Sequence, residues 1–188
     1  MHPLVRWLTL QGYDDLRTVA ADARVRVAVH ELAHAVSLGL PLWGLNPKLV
    51  MDACERAAEP WREEVLARAA EHLVIQRLGT DDRPLEKRIQ RAIAVSENAW
   101  ADYRRGYFAG MTPNSVPPQA LPFEESLTMA HQMIESGEAG RIADQVLEFH
   151  HRWSEVLAFP GVLPSNDPLI GQLSYEAPIA PRVPTKQP

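Results

Sequence analysis

Residues 30 to 34 read His-Glu-Leu-Ala-His. Residues four apart share one face of a helix, so a helix through this segment sets the imidazoles of His30 and His34 within reach of one cation, with Glu31 beside them. Two such nitrogens plus one more protein ligand suit zinc, whose catalytic sites keep a further position open for water. Glu31 then has a task separate from binding: it takes a proton from water as that water attacks a carbonyl, and passes it to the leaving amine. The flanks fit this use, because Val27, Ala28, Val29, Leu32, Ala33, Ala35 and Val36 are uncharged, and a charge packed beside the metal would need a partner of its own. The bland alternative is an amphipathic helix whose histidines meet solvent.

With those flanks, the segment Val27 to Val36 resembles the active-site helix of the zincin metallopeptidases, the HExxH class. The resemblance implies a zinc cofactor, hydrolysis of peptide bonds by a metal-activated water, and a protein or peptide substrate. Residue by residue it implies His30 and His34 as metal ligands and Glu31 as catalytic base. The metzincin branch is excluded, since it requires His-x-x-Gly-x-x-His and the chain after His34 continues Ala-Val-Ser-Leu-Gly-Leu-Pro.

In the glutamate-ligand zincins the third ligand comes from a later helix, and here the expected residue is Glu63, 29 positions after His34. Helical spacing places Glu63 among Leu66, Ala70, Leu73 and Val74, on a face that should be buried, where a carboxylate needs a cation. Its neighbour Glu64 falls with Arg68 and Glu71 on a face that reads as solvated. The run Glu63 to Val74 also resembles the second helix of small zincins that cleave phage-type repressors. It departs from that pattern at Leu66, where a small residue is expected. Glu55, Glu97 and His72 compete for the same role, and a salt bridge from Glu63 to Arg62 or Arg77 would equally explain its burial.

The elements that must carry these residues read as mainly α. Helices are expected over 14–39, from Asp52 or Pro60 to Leu78, over 85–107, 123–135 and 140–157, with Gly39 and Gly79 as stops. Leu40 to Val50, broken by Pro41, Gly44 and Pro47, reads as a loop with at most a short strand. Only Leu4 to Leu10 before the motif shows alternation, so at most a small β element is expected. The picture is a compact zincin-like helical domain over 1–159 of about five helices. Residues 160–188, with seven prolines in 29 positions, read as an extended tail able to lie along a protein partner.

A length of 188 residues suits one domain with a true core, and the 46% hydrophobic and 23% charged residues are an ordinary balance. A net charge of −5 argues against nucleic acid as the main partner. The single cysteine, Cys54, permits no intrachain disulfide and no cysteine-based zinc cluster. No stretch has the length and apolarity of a membrane span and the first residues lack a signal-peptide pattern, so a cytoplasmic protein is expected, or a virion protein if of phage origin. The scarce strand signals and the tail leave a second reading: a non-catalytic structural or interaction protein, from a phage or mobile element, built on a zincin-derived body.

Overall fold

The computed structural model describes residues 2–10, 19–42, 45–81, 83–104 and 118–158, and among them are seven helices and no strand. They are α1 (Pro3–Leu10), α2 (Ala21–Ser37), α3 (Pro47–Glu55), α4 (Pro60–Leu78), α5 (Leu85–Arg104), α6 (Phe123–Glu135) and α7 (Glu138–Ala158). The fold is mainly α. The expected tail over 160–188, and the ends 14–18 and 105–107 of two expected helices, lie outside the described residues.

Besides a later start of the motif helix, at Ala21 with Val19 and Ala20 outside it, two segments differ from the sequence reading. Leu4 to Leu10 belongs to a helix: the buried Leu4, Val5, Trp7 and Leu8 are spaced i, i+1, i+3 and i+4, which makes one helical face, whereas adjacent residues of a strand point to opposite sides. Pro47 opens α3 instead of breaking a loop. Asn46 precedes it in extended conformation and its side chain accepts a hydrogen bond from the Leu49 amide at 3.0 Å, which is the N-cap arrangement that tolerates proline in the first turn.

α4 runs through the centre and packs against α2, α3, α5, α6 and α7. Burial follows from that placement: Val65, Leu66, Ala67, Ala69, Ala70, Val74 and Ile75 are all inside, and together they cover most of the helix circumference. The small residues at 67, 69 and 70 let neighbouring helices approach closely. α1 closes one end against α2 and α7, where the Trp7 ring meets Phe149 edge to face at 4.8 Å between centroids. α6 is pinned to α4 by the Trp61 indole, which donates to Ser126 Oγ at 3.0 Å.

α2 ends at a left-handed glycine. Gly39 has φ 68°, its amide donates to Val36 O at 3.1 Å, and the Leu40 amide donates to Ala35 O at 2.8 Å. This pair of bonds satisfies the last carbonyls of the helix. Its effect is to stop α2 three residues beyond His34, so the second histidine sits within the last turn.

Candidate metal centre

From Ala28 to Ala35 every residue of α2 is buried except Glu31. Helix α2 is thus packed on the core through its apolar positions while Glu31 opens onto a cavity of about 520 Å³ that also takes in His30 and His34. The two imidazoles meet edge to face with centroids 4.5 Å apart, and their Nε2 atoms face each other at 3.1 Å. The i, i+4 spacing has brought the same edge of both rings to one point.

Consecutive glutamates of α4 complete the arrangement. Glu64 Oε2 lies 3.3 Å from His34 Nε2 and 3.4 Å from His30 Nε2. Glu63 Oε1 lies 3.0 Å from the other nitrogen of His34, Nδ1, and also accepts a hydrogen bond from Ser37 Oγ. Neighbouring residues are about 100° apart around a helix, enough for the two carboxylates to reach opposite edges of one ring. Among the described residues, the atoms within 4.8 Å of one another that suit a metal belong to His30, His34 and Glu64.

Glu63, the third ligand expected from the sequence, is therefore beside the cluster and not in it. The competitors stand further off. Glu55 is exposed on α3 at the cavity edge, Glu97 is exposed on α5 and lines no part of the cavity, and His72 is partly buried with its Nδ1 unpartnered. The face carrying Glu64, Arg68 and Glu71 does not meet solvent as expected; Glu71 is only 2% exposed. Because α4 is enclosed by five other helices, a polar stripe on it faces an internal cavity.

That stripe belongs to a chain of alternating charges that the sequence reading missed. Arg68 Nε bonds Glu64 Oε1 and its Nη1 bonds Glu71 Oε2, both at 2.9 Å. Arg88 on α5 bonds the other oxygen of Glu71 at 2.6 Å and lies 3.4 Å from Asp81, which Arg26 of α2 meets at 3.2 Å. The one advance signal was the i, i+4 and i, i+3 spacing of Glu64, Arg68 and Glu71, which also describes an ordinary surface. Cys54, excluded as the basis of a zinc cluster, lines the same cavity.

The electrostatics follow from these neighbours. Burial would push the Glu64 carboxyl up, but Arg68 and the two histidines overcome it and hold Glu64 well below the usual carboxylate range. Burial likewise disfavours a charged His34, and the contacts with Cys54, Glu63 and Glu64 outweigh it, raising this histidine well above its ordinary value. The space between the two histidines and Glu64 therefore favours a positive charge.

A metal suits this donor set. When His34 is neutral, the Glu63 carboxylate at Nδ1 holds its proton on the outer nitrogen and leaves the Nε2 lone pair directed at His30. His30 Nδ1 is buried without a hydrogen bond, with Glu71 Oε2 3.6 Å away. Two inward-facing imidazole nitrogens beside an ionised carboxylate require a cation between them, whether a proton or a metal. No protein-family model matches the chain, and no curated protein or solved structure does either.

Proposed function

We propose that this chain is a zinc-dependent peptidase in which His30, His34 and Glu64 hold the metal and Glu31 is the catalytic base. The observation that carries the reading is the convergence of the two Nε2 atoms and the Glu64 carboxylate within 4.8 Å, at the wall of a cavity that Glu31 shares. Zinc, when bound, supplies Lewis acidity: it polarises a carbonyl and makes water easier to ionise. Glu31 accepts the proton of the attacking water and returns it to the departing amine. It is suited to that because it lines the cavity next to His30 while lying outside the ligand group.

The remaining residues fix the ligands. Glu63 holds the Nδ1 proton of His34 and so keeps Nε2 directed inward, and Glu71 stands on the corresponding side of His30. Arg68 balances Glu64 and Glu71, so the three carboxylates near the histidines do not repel one another unopposed. The zincin resemblance of Val27 to Val36 is in keeping with this assignment, with the third ligand moved from Glu63 to Glu64.

The test is to incubate the purified, zinc-supplied chain with a mixture of unstructured peptides and follow new termini by mass spectrometry. Hydrolysis that stops with a chelator and returns with zinc supports the reading. Zinc binding without any hydrolysis would favour the interaction-protein alternative, and no zinc binding would remove both the cofactor and the peptidase.

A further inference from the structure

The cavity wall contributed by α5 carries an outer row, Lys87, Arg91 and Val95, spaced four apart, and an inner row that includes Arg88, Ala92 and Ser96. The inner row is buried and the outer row is exposed. Most cations around the cavity are already matched: Arg68 to Glu64 and Glu71, Arg88 to Glu71 and Asp81, Arg26 and Arg83 to Asp81. Lys87 and Arg91 have no ion-pair partner among the described residues. Beside them Val95 is 54% exposed, and Met51 of α3, which lines the same cavity, is 61% exposed. Apolar side chains at the rim of a cleft suit an apolar group of whatever occupies it.

We infer that Lys87 and Arg91 form a subsite for acidic side chains, so that the occupant of the cavity is a polypeptide segment with an apolar residue flanked by Asp or Glu. This rests on the peptidase reading and names its substrate class. An apolar side chain enters between Met51 and Val95, and carboxylates next to it meet Lys87 and Arg91. Nucleic acid fits less well, because the same cavity carries Glu31 and Glu55 and the chain has a net charge of −5, whereas a phosphate backbone asks for a continuous basic surface. The selection is by charge complementarity, which adds specificity more than raw affinity.

The experiment uses the full chain carrying Glu31→Gln, to keep the probe uncut, and two fluorescein-labelled peptides with blocked ends: Gly-Glu-Glu-Leu-Ala-Gly and Gly-Lys-Lys-Leu-Ala-Gly. Fluorescence anisotropy at low salt should show the acidic peptide binding about tenfold tighter or more, the preference shrinking as salt rises. Adding Lys87→Glu and Arg91→Glu should abolish the preference or invert it toward the lysine peptide, a gain that a misfolded chain would not give; Lys87→Gln with Arg91→Gln should lie between. Equal binding of the two peptides, no binding of either, an unchanged preference in the charge-reversed variant, or displacement of the acidic peptide by a single-stranded oligonucleotide would each overturn the inference. Zinc content is measured on the same samples, and the charge variants should retain it. A charge preference in protein that takes up no zinc would leave the Lys87–Arg91 subsite standing and sink the metal reading, while zinc uptake without the preference would do the reverse.

Discussion

Glu63 and Glu64, consecutive on one helix, divide the two nitrogens of a single imidazole between them: Glu63 Oε1 is 3.0 Å from His34 Nδ1 and Glu64 Oε2 is 3.3 Å from His34 Nε2. The two carboxylates look equivalent in sequence and stand on opposite sides of the ring. Only the Nε2 side is shared with His30, so the two residues should not behave alike when altered.

Glu64→Gln removes a charged donor from the ligand group, whereas Glu63→Gln removes the acceptor that orients His34. Loss of an orienting partner of this kind weakens metal binding by about 10- to 100-fold, and loss of the donor itself should cost more than that. Competition of each variant against a zinc-binding dye ranks them. A weaker site in Glu63→Gln than in Glu64→Gln would return the ligand role to Glu63.

Glu31→Gln should leave zinc binding as it is and lower turnover by about 10² to 10⁴, the usual contribution of a general base. The amide keeps the shape and loses the proton acceptor. Wild-type turnover in this variant would assign the base elsewhere.

Arg88 and Glu71 are both only 3% exposed in their side chains and bond at 2.6 Å. Arg88→Met strands Glu71 and Asp81 with less compensation, which for a broken buried pair costs about 3–5 kcal/mol. Urea unfolding of the variant measures it. A change under about 1 kcal/mol, the scale of a surface pair, would mean that the charge chain is wetter than its geometry indicates.

His2 stacks on His150 with ring centroids 5.1 Å apart, tying the start of the chain to α7. Burial lowers both pKa values; the charge of His150 adds to the effect on His2, and that of His151 to the effect on His150. Both rings therefore favour the neutral form in the folded chain. Their stabilising contribution is present above the ordinary histidine value of 6.5 and is lost as pH falls through the lowered folded values. Melting curves from pH 7.5 down to 5 should show a decline that is shallower in His150→Gln; equal slopes would show that this pair does not titrate on unfolding.

Much of this arrangement could be read from sequence, for identifiable reasons. Gly39 and Gly79 were legible as helix stops because a positive φ, here 68° and 64°, strongly favours a residue without a side chain. His30 and His34 were legible as a pair because four-residue spacing is local geometry. What was illegible depended on tertiary placement. Glu64, Arg68 and Glu71 have the pattern of a solvated face, and only the wrapping of α4 by its neighbours turns that face inward. Periodicity reports that a stripe is polar; it does not report whether the polar side meets water or an internal cavity. The Asn46-Pro47 pair is of a different kind: the residue types there carry a helix start, but a proline between Pro41, Gly44 and the next apolar run looks equally like a break.

The most direct test of the metal assignment is native mass spectrometry of the chain after equilibration with excess zinc and removal of loosely bound ions. The expected result is one zinc per wild-type chain, with the bound fraction lost in His30→Ala, His34→Ala and Glu64→Ala but kept in Glu55→Ala and Glu97→Ala. A folded wild-type chain that retains no zinc, or a bound zinc indifferent to His30, His34 and Glu64, would contradict it.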